Sequence, residues 1–263
     1  MTALHYWLLP QVSWIKDNDL RRLASAMSIV GTSCAGKWEE EIPTYAIASS
    51  KNDIPDDAFT MVFGQDMDVA GDLAYHTLLD GKPYSLIWAD ELAMSLKEVQ
   101  IAAGHENVEG IADPQCDRYF SLGTGNGFIA GEISDPVQGD VMSVDLGDGG
   151  DPIAQAHFVH MSWFQDGTWD GVTPLDSGGL CTAKRQIRKG GYAQTVTADG
   201  KMVQIGEGVA GMSTETPPAM TILDALRMHP AFRKGRLLAG AQRMAMRIKA
   251  NPNASVWSRL YRS

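Results

Sequence analysis

The chain is expected to adopt an α+β fold: a mixed sheet with a prominent helix, then a loop-rich β segment, then a helical basic tail. Three observations predict this. Short apolar segments of strand length recur up to Ala89 with one helical stretch among them, and a second helical stretch follows. Gly and Asp crowd the stretch from Ser121 to Gly150. Lys and Arg collect after Met220, where nine of them face a single acid.

The elements follow in order. His5 to Leu9 reads as a strand. Asp17 or Asn18 can then cap a helix whose Leu20, Leu23, Ala24, Met27 and Val30 share one face. Gly31 to Lys37 breaks that pattern. Thr44 to Ala48 and Phe59 to Phe63 read as strands on either side of the polar loop Asn52 to Asp57. Ala74 to Leu78 leads through Asp80-Gly81-Lys82-Pro83 into a strand from Tyr84 to Ala89. Ser95 with Glu98 forms a capping box that opens a helix through Val99, Ala102, Ala103, Val108 and Ile111. Asp113-Pro114 closes it, because a residue before proline avoids helical geometry.

Ser121 to Gly150 is expected to be mostly loop, with one ordered piece at Gly131 to Pro136, and Phe158 to Phe164 to be an aromatic strand. Tyr192 to Thr197 and Met202 to Ile205 read as a hairpin around Asp199-Gly200. Pro217-Pro218 marks a joint, after which Thr221 to Met228 and Lys234 to Ala250 have helical character. The expected division is therefore 1–216 and 217–263.

Composition narrows the function classes. At 263 residues and 44% hydrophobic, the chain can bury one large core. No run of about 18 apolar residues occurs, which removes a membrane-spanning helix, and Met1 to Ile15 lacks the basic leader and cleavage pattern of a signal peptide. The expected location is the cytoplasm. Cys34, Cys116 and Cys181 are odd in number and widely spaced, so free thiols are expected. The net charge of −10 divides into a tail near +8 and a remainder near −18. The tail, with Arg227, Arg233, Lys234, Arg236, Arg243, Arg247 and Lys249 among apolar residues, suits docking on an acidic protein surface. No recognition motif points to nucleic acid.

The chemistry centres on Gly104 to Pro114. His105 and Glu109 are four apart, one turn along the same helix face, so one nitrogen and one oxygen can meet one ion. Glu106 is placed to act as a general base on a metal-activated water. Asp113 lies a further turn along, as a ligand or as an outer partner of His105. Downstream, Glu132 and Asp135 can fold back with a third ligand, Glu132 being preferred. A His-Glu-x-x-Glu string alone is also what a solvated helix face produces. Here the surrounding helix is small and apolar, and the Asp-Pro ending recurs at Asp135-Pro136.

Tyr75-His76, Pro83 to Trp88, His105 to Pro114, Glu132 to Asp140, Phe158-Val159, Trp163-Phe164 and Gly190-Gly191-Tyr192 occur in an order that resembles a family of uncharacterised phage and prophage proteins. Those carry a serine-His-Glu-x-x-Glu-x-x-x-Asp-Pro helix followed by a Glu-x-x-Asp-Pro-Val element. The resemblance spans about residues 70 to 195, and it departs at Gly104, where the family tends to have serine. More remotely, the strand-then-helix order resembles the zincin metallopeptidases, with Glu109 where histidine is usual. The resemblance implies a zincin-like metal-binding domain in which His105 and Glu109 are ligands, Glu106 is the base, and the strand before the helix binds extended peptide. Zinc is the expected ion, with manganese or calcium as alternatives for so acidic a ligand set.

Other residues carry less. His76 stands either over the site or in a structural role. His157 and His160 point to opposite faces of a strand and read as ordinary histidines. Cys116 suits a softer metal than the carboxylates around it. Asp145, Asp148 and Asp151 miss the spacing of a calcium loop, and Trp163, Phe164 and Trp169 read as an aromatic cluster beneath the site. Two functional classes result: a zinc-dependent hydrolase acting on peptide, or a phage virion or assembly protein whose metal site is structural and whose partners are other phage proteins.

Overall fold

The computed structural model describes residues 4–66, 73–122, 127–166, 168–197 and 202–206. Its architecture is mixed α and β. A five-stranded sheet comprises β1 (His5–Pro10), β2 (Thr44–Ile47), β3 (Phe59–Gly64), β4 (Ala74–Leu79) and β5 (Lys82–Trp88), in the order β2-β1-β3-β5-β4. All neighbouring pairs are parallel except β4 with β5. β4 reaches β5 through Asp80 and Gly81, both at positive φ (51° and 80°), the conformation that a two-residue hairpin turn requires and that an Asp-Gly pair favours. β1 and β3 lie inside the sheet, and their apolar runs leave Tyr6, Leu8, Phe59, Met61 and Phe63 almost wholly buried.

Two long helices pack on one another and on this sheet. α1 (Asp17–Trp38) buries Leu20, Leu23, Met27, Val30, Cys34 and Trp38, a helical stripe that runs straight through the expected break at Gly31. It stops at Glu39, whose left-handed conformation (φ 57°) turns the cap N–H back to the Ala35 carbonyl. α2 (Leu96–Ala112) begins at the expected capping box, with Glu98 N–H donating to Ser95 Oγ at 3.3 Å and Ser95 N–H to Glu98 Oε2 at 2.7 Å. From Val99 onward nearly every residue of α2 is buried, so it is a central helix and not a half-exposed one.

The remaining strands form two further units, one of which, through β9, packs on α2. β6 (Tyr119–Ser121), β7 (Phe128–Ala130), β10 (Tyr192–Val196) and β11 (Met202–Gly206) form an antiparallel sheet in the order β11-β10-β7-β6. β8 (Val141–Val144) and β9 (Ile153–Ala156) make a separate hairpin. β9 lies so close to α2 that a Cβ at Gly104 would sit 2.8 Å from Gln155 Oε1 and 3.1 Å from the Ala156 nitrogen. Glycine at that position is what allows the approach. Core residues from both sheets and both long helices form one continuous apolar cluster.

Among its described residues the stretch from Ser121 to Gly150 is mostly irregular, as expected, but β7 and β8 also lie within it, short strands hidden by the surrounding glycines and aspartates. Phe158 to Phe164 is not a strand. Val159 makes a single bridge to Asp176, and Met161–Phe164 then forms a helical turn, α3. Adjacent Trp163 and Phe164 are both buried, which an alternating strand facing one core cannot achieve. The Asp199-Gly200 turn, the basic tail and its two expected helices lie outside the described residues. Among the described residues, no helix is long and apolar enough to cross a membrane.

Candidate metal centre

Three elements converge on one face of α2. α2 itself presents His105, Glu106 and Glu109. β4 contributes His76, the buried member of its alternation, opposite Ser85 of β5. The third contribution is the segment from Glu132 to Val137, ending in a 3-10 turn at Asp135–Val137. Backbone and side-chain bonds fix that segment: Val159 N–H donates to the Ile133 carbonyl at 2.8 Å, Ser134 Oγ to the His157 carbonyl at 2.7 Å, and Ser134 N–H to Glu109 Oε1 at 3.1 Å.

His105 Nε2 lies 3.2 Å from Glu109 Oε1 and 3.2 Å from Asp135 Oδ1. His76 Nδ1 lies 3.0 Å from Glu106 Oε2 and 3.6 Å from Glu109 Oε2, while its Nε2 is 3.9 Å from Glu132 Oε2. The side chains of His76, Glu106, Glu109 and Asp135 are at most 5% exposed, whereas His105 at 15% and Glu132 at 22% form the side open to solvent. Asp135 is also hydrogen-bonded to Tyr192 from β10.

Electrostatics follow from crowding carboxylates out of water. Burial, then the charge of Glu109, raises Glu132 well above the usual carboxylate range and pushes Asp135 up to about 7. Burial alone would lower both histidines. For His105, Glu109 and Asp135 outweigh it, and for His76 the neighbouring Cys116, Glu132 and Glu106 do, so both are raised. Glu109 is lowered, because the two histidines beside it more than offset its burial. Among the described residues, the ion pairs of these carboxylates are with histidine only, and none is with Lys or Arg.

This donor set fits a divalent cation. Tetrahedral zinc with bonds of about 2.0–2.2 Å sets neighbouring donors about 3.3–3.6 Å apart, close to the 3.2 Å spacings around His105. Imidazole with carboxylates suits zinc or manganese better than a soft thiophilic ion. Two groups of three can surround an ion, His105 with Glu109 and Asp135, and His76 with Glu106 and Glu109.

The sequence-derived residues thus separate. His105, Glu106, Glu109 and His76 come together, as does Asp135, whereas Glu132 faces His76 and not His105. Asp113 turns away and accepts N–H bonds from Asp117 at 2.9 Å and Arg118 at 2.8 Å, closing the helix end. His157 and His160 bond Ser177 Oγ and the Pro174 carbonyl, each at 2.9 Å, outside the centre. Asp148 is held by Arg22 at 2.8 Å. None of the three cysteines is in a disulfide. Tyr192 was missed; its position after Gly190-Gly191 marks a turn but nothing in the spacing directs its hydroxyl to Asp135. Comparison with protein-family models, curated proteins and solved structures gave no match.

Proposed function

We propose that the chain is a metal-dependent hydrolase of the zincin type, acting on a peptide in a phage or prophage setting. The observation that carries this reading is the position of His105 Nε2, 3.2 Å from both Glu109 and Asp135 on the solvent-open side of a buried centre. These three side chains would hold the ion, leaving a position for solvent. The bound ion would supply Lewis-acid polarisation and a water acidic enough to react near neutral pH. Glu106, held through Oε2 by His76 at 3.0 Å, is the carboxylate available to take the proton. Asp135 is anchored by Tyr192, and Glu109 by the Ser134 N–H, so both are held in position before substrate arrives. Peptide is favoured as substrate because β4, which carries His76, is the last strand of its sheet. A strand edge beside the centre suits an extended chain.

The test compares peptide hydrolysis by the zinc-loaded wild type and Glu106→Gln. The rate should fall by about 100-fold or more, with the fold and the ion at His105 retained. Unchanged hydrolysis in Glu106→Gln would remove Glu106 from the reaction. A second reading, a structural metal site in a virion or assembly protein, is favoured by one observation: the Glu106 side chain is only 5% exposed. It expects a wild type that binds metal, is stabilised by it and hydrolyses no peptide.

A further inference from the structure

We propose that the centre takes two divalent ions, with Glu109 bridging them and with His76 and Glu106 completing the second site. This deepens the metal-centre reading above and rests on it. The two oxygens of Glu109 face different histidines, Oε1 toward His105 at 3.2 Å and Oε2 toward His76 at 3.6 Å. On the second side, Glu106 Oε2 and Glu109 Oε2 both lie within 3.6 Å of His76 Nδ1, which again matches donors arranged around one ion. A carboxylate used in this way sets two metals about 3.5–4 Å apart, the spacing of two-metal hydrolases.

His76 gives a second indication. Its buried Nε2 faces Glu132 Oε2 from 3.9 Å, and the Cys116 side chain also hydrogen-bonds the ring. When Nδ1 binds an ion, the proton resides on Nε2, and a carboxylate facing that N–H is the usual outer partner of a metal-bound histidine. Glu132 then has a role that the first site does not give it.

Charge points the same way. Glu106, Glu109, Glu132 and Asp135 meet here without a Lys or Arg partner among the described residues. In this two-ion form Glu106 serves the second ion, and the water-activating role proposed for it with a single ion would pass to the metal pair.

Manganese titration of metal-free protein, read by elemental analysis and by electron paramagnetic resonance, tests this. The wild type should bind two ions per chain and give the multiline spectrum of a coupled pair. His76→Ala and the isosteric Glu106→Gln should each bind one ion and lose the coupling. A wild type with one uncoupled ion, unchanged in His76→Ala and lost in His105→Ala, would overturn the second site and leave the hydrolase reading standing. Two ions without coupling would overturn the bridge. No bound ion would overturn both readings, and the wild-type spectrum decides even if a variant fails to fold.

Discussion

Asp135 and Glu132 stand three residues apart in one segment and meet different partners. Asp135 lies inside a 3-10 turn at 2% exposure and reaches His105, while Glu132 remains 22% exposed beside His76. The sequence shows that an acidic pair is available here, but not which carboxylate turns inward, because that depends on how the turn is pinned by Val159 and Ser134. The two should therefore separate on substitution. Asp135→Asn is expected to abolish ion binding at His105, and Glu132→Gln to keep it, as read by zinc titration of each variant. Tyr192→Phe removes only the hydrogen bond that orients Asp135. It should weaken zinc affinity by about 10-fold or more while the fold is kept.

At the level of elements, α2 was the most legible part of the chain. Its capping box, its apolar positions and its Asp-Pro ending all belong to local rules, and the helix spans Leu96–Ala112 as those rules require. Ser95→Ala should cost about 1 kcal/mol in denaturant unfolding, the usual loss for such a cap. The β10–β11 pairing was equally legible, since its strands sit close together in sequence. What could not be read were the contacts that α2 makes at long range. Gly104 shows this: nothing local requires glycine, yet β9 arrives from 50 residues away and leaves no room for a side chain. Gly104→Ser should destabilise the protein by about 1–3 kcal/mol through overpacking. An unchanged unfolding midpoint would mean that β9 stands further off. His76 was ambiguous for the same reason, because only the β4–β5 register brings it under α2.

Across the whole molecule, buried carboxylates and histidines tie stability to pH and to metal. In the metal-free state Asp135 titrates at about 7 and Glu132 is also raised, so the folded chain keeps protons that the unfolded chain releases near pH 4. Stability must then fall as pH rises through that window. The raised histidines act in the same sense: their stabilisation is complete below their ordinary value near 6.5 and is lost as pH climbs through the raised one. Glu109, lowered, opposes this only in acid, below its ordinary range, and His157 and His160, lowered by burial, oppose it below their ordinary value near 6.5. The melting temperature of metal-free protein should decline from about pH 6.5 to about pH 8, and the rise produced by zinc should grow over the same range as ions replace protons. A melting temperature that increased with pH without metal would contradict this assignment of charges. The central claim, a metal centre on α2, is tested most directly by elemental analysis of wild type purified without chelator, beside folded His105→Ala and Glu109→Ala variants. The account expects bound divalent metal in the wild type, a reduced content in His105→Ala and the greatest loss in Glu109→Ala. No metal in the wild type, or equal metal in all three, would contradict it.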